Sequence, residues 1–360
     1  MITSMIKNNK DISLFRGFDN YDERTSYITH YIDMKGYRQD KQHPCTYHKA
    51  KYKFKRTTKT QEDVKDNGCN FNFINCGQGD ACLIENKGKY TLIDFGAKEG
   101  SVKSFLDTKI PNKKIDYAIC THFHGDHMTD FENIFTSYQV KNLFVVKDTN
   151  PNLAIKSEKE YEKFEKHCKA DNVYMLEVGH CIEKHSHNFK LGEAEFEFLG
   201  PTKIYNNNND LSIVLKMNYK NNTVLFTGDI SKNAESQLIS WCNLNGVELG
   251  TNVLKVAHHG SKSSSCEQFL KTVNPSKAVV SCAKTNKYMH PDKETVERLE
   301  KYCFDISYTY DSPSVDFLIT PDGELINQGS FVESYDATKL FETTVENYKY
   351  TISNLSENIK

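Results

Sequence analysis

The chain has 360 residues, 38% hydrophobic and 26% charged, with a mean hydropathy of −0.64 and a formal net charge of −2. That length allows one large domain or two modest ones with a sizeable core. No apolar run approaches the roughly 18 residues of a membrane helix, and Met1–Lys7 turns polar at once. The sequence therefore reads as a cytoplasmic chain with no membrane span and no secretory signal, not as a channel. Its 11 cysteines are odd in number and scattered, several inside apolar runs. They read as reduced core residues.

Charge is unevenly spread. Residues 1–60 hold 13 Lys+Arg against 6 Asp+Glu, a balance of +7, and the remaining 300 residues carry −9. Residues 1–67 form a basic N-terminal extension without a recognisable catalytic motif. Its notable part is Lys49-Ala50-Lys51-Tyr52-Lys53-Phe54-Lys55-Arg56. As a strand, this period-two pattern puts lysines on one face and Tyr52 and Phe54 on the other. That face is either a phosphate-backbone contact or an edge guarded by lysines against strand pairing. The polar run 61–68 marks the boundary.

From Cys69 the pattern changes. Phe71–Ile74 alternates as a strand, Gly77-Gln78-Gly79-Asp80 forces a turn, and Ala81–Ile84 resumes a strand. Lys87-Gly88-Lys89 reads as a hairpin turn into Tyr90–Ile93, followed by Asp94. Ile115–Cys120 reads as a buried strand that ends at Thr121-His122-Phe123-His124-Gly125-Asp126-His127. Three imidazoles and a carboxylate within six residues are more than one ion takes from one short loop. Two neighbouring ions use such a set, because a tight turn presents side chains to both sides. Imidazole suits zinc, iron or manganese, and the carboxylate favours metals that tolerate oxygen.

Helices are expected over 130–137, 158–170 and 294–302, strands over 143–146 and 173–176, and a hairpin region over 306–327. His180, His185 and His187 fall in a polar connector and read as surface residues. Thr223–Phe226 reads as a strand delivering Asp229, whose two carboxylate oxygens suit it to bridge two cations. Leu254–Ala257 reads as another, delivering His258-His259-Gly260-Ser261. Neighbouring side chains on a strand face opposite ways, so one of the two histidines is expected to ligate. His259 is favoured, leaving His258 to contact substrate phosphate or to support a ligand from behind. Ser261 and Lys262 then begin a polar loop suited to anionic oxygens. Residues 331–360 read as an amphipathic tail helix.

His122-x-His124-x-Asp126-His127 resembles the metal signature of metallo-β-lactamase-fold hydrolases. Asn75–Ala81, Phe226-Thr227-Gly228-Asp229, His258–Ser261 and Tyr288-Met289-His290-Pro291 narrow the resemblance to the soluble hydrolase domain of ComEC-type DNA-uptake proteins. It covers residues 70–330. It implies an αββα sandwich, two mixed sheets flanked by helices, over 68–330. The extension 1–67 would precede this domain and the tail 331–360 follow it.

The resemblance further implies that His122 and His124 hold one divalent ion, and Asp126, His127 and His259 the other, with Asp229 between them. Zinc or manganese would serve. Asp94 would brace a ligating histidine, and Asp80 would lie beside the site or contact substrate. A third histidine common in such hydrolases is missing; Asn209 and Ser212 match the Asn-x-x-Ser pattern of ComEC-type domains instead. Met289 replaces the family's glycine, and His290 would be a general acid or phosphate contact.

The function so implied is phosphodiester hydrolysis, foremost of DNA, by a hydroxide shared between the two ions, with Asp126, His258 and His290 assisting. Two other readings remain open. One is a small-molecule phosphodiesterase or lactonase acting on a cyclic nucleotide or phosphorylcholine-type ester. The other is a non-catalytic metal-binding subunit docking a protein partner through its extension or tail.

Overall fold

The structure, a computed structural model, describes residues 37–39, 47–49, 68–147, 159–176 and 187–328. In the N-terminal extension, β1 (Tyr37–Gln39) pairs antiparallel with β2 (Tyr47–Lys49), Arg38 opposite His48. Of the basic strip only Lys49 belongs to the described residues. The expected tail helix, His180 and His185 lie outside them.

The main body is built on two sheets. The first begins with β3 (Cys69–Ile74), β4 (Cys82–Asn86) and β5 (Lys89–Ile93), an antiparallel meander. It continues in parallel through β6 (Lys114–Ile119), β7 (Gln139–Val146) and β8 (Asn172–Leu176). Helices α1 (Ser101–Lys109), α2 (Gly125–Met128), α3 (Phe131–Ser137) and α4 (Lys159–His167) lie in the connections.

The second sheet takes β9 (Phe189–Leu191), β10 (Ala194–Gly200), β11 (Val214–Tyr219) and β12 (Asn222–Phe226) antiparallel. It then runs parallel through β13 (Val253–Lys255), β14 (Lys277–Val280) and β15 (Asp305–Tyr308). Helices α5 (Lys232–Asn245), α6 (Glu267–Val273) and α7 (Lys293–Tyr302) connect these strands. Finally β16 (Ser314–Ile319) returns to the first sheet beside β3, with β17 (Leu325–Asn327) at its edge.

The expected hairpin over 306–327 therefore divides. Its first part is a parallel edge strand of the second sheet, and only β16–β17 is a hairpin. The sequence carries no sign of this, because the turn after Tyr308 sends the chain from one sheet to the other.

Period-two alternation explains the sandwich. On β3, Phe71 and Phe73 enter the layer between the sheets; on β12, Val224 and Phe226 do the same while Leu225 joins the opposite cluster. Rings meet across the layer: Phe73 and Phe226 lie 5.9 Å apart, Phe144 and Phe198 4.9 Å. Outside, Leu92, Ala118 and Leu143 share a cluster with Val102, Leu106 and Phe131 of the helices, as Leu254 and Ala278 do with Leu238, Phe269 and Leu299. Burying apolar surface on both faces of both sheets drives this four-layer arrangement.

Local signals set the helix ends. Ser231 caps α5 by accepting the Asn233 N–H, and Gly246, left-handed at φ 66°, closes it. In α4, Tyr161 and Phe164 point inward at i, i+3 spacing, and Phe123 packs on them at 5.0 and 5.5 Å. The helix expected over 158–170 thus runs over Lys159–His167. Among the described residues no helix is long and apolar enough to cross a membrane.

Candidate metal centre

The residues singled out in the sequence gather at the carboxyl ends of the parallel strands, where open α/β sheets leave their crevice. Asp94 follows β5, His122 follows β6, Asp229 follows β12, and His258 and His259 follow β13. The loop Cys76–Ala81 reaches the same end from β3. Gly79 makes that approach possible: a Cβ there would lie 2.1 Å from the Asp126 carbonyl oxygen. The Asp80 N–H donates to that same carbonyl at 3.1 Å.

Ligand atoms of Asp126, His127, Asp229 and His259 all lie within 4.8 Å of one another. The His127 Nε2 stands 3.4 Å from Asp229 Oδ1, and His259 Nε2 stands 3.3 Å from Asp126 Oδ2 and 3.4 Å from Asp229 Oδ2. The His127, His259 and His122 Nε2 atoms and Asp229 Oδ1 are buried without a hydrogen-bond partner. Buried polar atoms are ordinarily satisfied, so converging orphans of this kind are atoms that could hold a cation. A divalent ion taking nitrogen and oxygen ligands fits them.

Neighbouring groups fix the imidazoles. Asp94 Oδ2 lies 2.8 Å from His127 Nδ1 and accepts the Thr121 hydroxyl at 2.8 Å, while Oδ1 accepts the Thr121 N–H at 2.7 Å. This leaves His127 Nε2 as the free donor, the usual role of a carboxylate behind a ligating histidine. His259 is held alike, its Nδ1 2.9 Å from the Ser281 carbonyl and 3.3 Å from Asp80 Oδ1. His122 Nδ1 lies 3.3 Å from Ser212 Oγ, which also accepts the Asp229 N–H at 3.0 Å.

His122 and His124 stand together, ring centroids 4.6 Å apart, with His122 4.2 Å from His127. They are not among the four tightly grouped donors. Asn209 lies in the turn just before Ser212, its Oδ1 buried and without a hydrogen-bond partner.

The histidine pair departs from expectation in its geometry. The strand ends at Lys255, and both His258 (φ 50°) and His259 (φ 54°) are left-handed inside a 3-10 turn. Alternation along an extended strand is thus not what separates them. The tight turn aims His259 into the cluster and leaves His258 at its edge, Nε2 3.9 Å from Asp229 Oδ2. His290 lies 5.6 Å from His258, with Nδ1 buried and unbonded. The Ser261 hydroxyl bonds Ser263 at 2.9 Å, whereas Lys262 is exposed and contributes a backbone N–H to Asp292.

Charge is concentrated here. Burial opposes charging His127 and His259, yet the facing carboxylates, Asp229 first, raise both pKa values well above the imidazole range. Burial and the neighbouring His127 push His122 the other way. Against the cost of burial, His259 and His127 hold the Asp229 carboxyl well below its usual range.

Sequence reasoning missed Lys255. Its ammonium is buried in an ion pair with Asp80 Oδ2, lies 3.9 Å from Asp229 Oδ1 and donates to the Gly228 carbonyl at 3.3 Å. A lysine inside the apolar run Leu254–Ala257 was the available signal, since lysine is almost never fully buried unpaired. Thr121, which ties Asp94 to the histidine loop, carried no such signal.

Two mixed sheets with helices outside, and a candidate metal-binding cluster at their shared end, make an αββα sandwich of the metallo-β-lactamase kind. Residues 74–284 match the profile of the metallo-beta-lactamase superfamily, and the chain belongs to that superfamily. The ComE operon protein 3 of Bacillus subtilis is 26% identical over 232 residues, 64% of this chain and 28% of that protein. Competence protein ComA of Neisseria gonorrhoeae is 26% identical over 246 residues, 67% and 31%. Recombination protein 2 of Haemophilus influenzae is 27% identical over 236 residues, 64% and 26%. The resemblance to ComEC-type proteins thus holds, with the chain spanning under a third of the length of these relatives. Among solved structures, YhfI of Bacillus subtilis aligns with a TM-score of 0.46 at 12% identity, covering 70% of this chain and all of that one.

Proposed function

We propose that the chain is a metal-dependent phosphodiesterase acting on DNA. The observation that carries this reading is the convergence of buried, unbonded donor atoms of His127, His259 and Asp229 beside Asp126. A divalent ion bound by these four residues supplies Lewis acidity toward a phosphoryl oxygen and lowers the pKa of water. His122 and His124 are the adjoining donors for a second ion. Similarity to a competence protein and a recombination protein favours DNA as the phosphodiester.

The chain's own residues divide the remaining work. Asp94 and the Ser281 carbonyl orient His127 and His259, so that each Nε2 faces the cluster. Asp126, with one oxygen 3.3 Å from His259 Nε2 and its side chain about a quarter exposed, would orient the attacking water. His258 sits at the open edge, its pKa lowered by burial, and so offers a neutral imidazole N–H to a non-bridging phosphate oxygen. His290, likewise lowered by burial, stands behind His258 and offers a neutral N–H as a hydrogen-bond donor to a phosphate oxygen. No serine or cysteine nucleophile is required.

The test is cleavage of labelled single-stranded DNA by metal-stripped protein, restored separately with Mn²⁺ and Zn²⁺, beside Asp126→Ala. Cleavage that depends on metal and is lost in the variant is expected. No cleavage with either ion, in protein shown to have bound it, overturns the DNA reading and directs the search to small phosphodiesters.

A further inference from the structure

Beside the cluster the chain displays an aromatic and an apolar side chain that the proposed chemistry does not use. Tyr288 is 51% exposed and Met289 82% exposed. Their loop is pinned from below by Asn286. The Asn286 Oδ1 accepts the Tyr288 N–H at 3.1 Å and the His290 N–H at 3.0 Å, and its Nδ2 donates to the Ala283 and His290 carbonyls at 3.0 and 2.6 Å. Met289 takes φ 59°, which a residue bearing a side chain adopts only at a steric cost. A rigid loop that holds one apolar residue strained and exposes its neighbour's ring invites a role outside the fold.

The position suggests which role. The Tyr288 ring stacks on His290 at 5.7 Å with planes 24° apart, His290 lies 5.6 Å from His258, and His258 reaches Asp229. Three rings thus step from the cluster to the surface. At the outer end the Lys287 ammonium stands 4.8 Å over the Tyr288 ring. A half-exposed aromatic ring with a lysine ammonium over it, next to a centre proposed to bind phosphate, is the chemistry that holds an unpaired base and its backbone.

We propose that Lys287, Tyr288 and Met289 form a stacking shelf for an unpaired base of a single-stranded nucleic acid whose phosphate lies at the cluster. The proposal rests on the nuclease reading and adds a substrate preference to it. Tyr288 takes the base face, Met289 packs its edge, and Lys287 swings to the adjacent phosphate. A duplex keeps its base faces in its own stack and offers the shelf nothing.

The experiment uses the full chain loaded with Mn²⁺ and two labelled strands of equal length. One carries bases; in the other, tetrahydrofuran abasic residues replace every nucleoside. Wild type is expected to show a KM about tenfold lower for the base-carrying strand. Tyr288→Ala should abolish that preference, and Tyr288→Phe should keep it. The shelf is overturned by a wild type without preference, or by a Tyr288→Ala variant that retains it. It is also overturned if Tyr288→Ala lowers kcat on both strands with the preference intact, for then Tyr288 only props His290. If wild type cleaves neither strand the nuclease reading fails by itself. Binding of the two strands, followed by fluorescence anisotropy against the same variants, then decides the shelf separately.

Discussion

Lys255 and Asp80 show how much of the centre depends on single buried charges. Each needs the other: Asp80 is held below the carboxylate range against burial by Lys255 and then His259, and Asp80 keeps the buried Lys255 ammonium charged. Removing one partner strands the other's charge in the interior. Lys255→Met should therefore cost about 3–5 kcal/mol in urea unfolding. Adding Asp80→Asn should recover a large part of that loss. A Lys255→Met protein as stable as wild type would show that the pair does not act as a unit.

Glu235 is a second buried acid, outside the centre. It accepts the Ser265 N–H and the Cys266 N–H, the latter at 2.9 Å. Burial pushes its carboxyl up to about 7 from an ordinary 4.5, against the pull of those N–H groups and Arg298. The folded chain then holds this proton more tightly than the unfolded one. The stability it contributes is complete below about 4.5 and lost as pH rises through about 7. Glu235→Gln should flatten the urea midpoint between pH 5 and 8, removing a slope on the order of 3 kcal/mol over the window. Equal slopes in the two proteins would refute the assignment.

At the scale of elements, the strand ends and their loops carry the candidate metal centre. Much of this was legible: β3, β5, β6 and β12 alternate or run apolar, and each delivers a motif that stands out by composition. The crossing of loops was not. Gly79 lies in one motif and Asp126 in another 47 positions on, and only folding brings their backbones into contact. Gly79→Ala should push the 122–128 loop outward, at a cost of about 1–3 kcal/mol in stability. Calorimetric titration should show metal affinity falling with it; an unchanged affinity and melting point would mean that the loop gives way freely. The His258–His259 turn teaches the same lesson. Pattern reasoning extended the strand through it, whereas two successive left-handed residues end the strand and aim the rings.

For the whole molecule, the centre ties both sheets together, taking Asp94, Asp126 and His127 from the first and Asp229 and His259 from the second. An ion bound there engages only the folded chain, because the unfolded chain does not assemble this donor set. Saturation at a hundredfold excess over Kd should add about 2.7 kcal/mol and raise Tm on the order of 5–10 °C over chelator-treated protein. Asp229→Asn should shrink that difference. Coincident melting of stripped and loaded wild type would exclude a metal centre built across the two sheets.

The sequence by itself determined the histidine loop and the strands that lead to it, because strand alternation and dense ligand spacing are local properties; the class of fold was legible through the resemblance of its motifs to a known family. The tertiary structure alone decided the left-handed turn of the paired histidines, the return of the chain from the second sheet to the first after β15, and the use of Lys255 beneath the site. It also put Tyr288 on a line with His290 and His258. These depend on which backbones and charges come within a few ångströms after two sheets have packed, and no spacing along the chain encodes that.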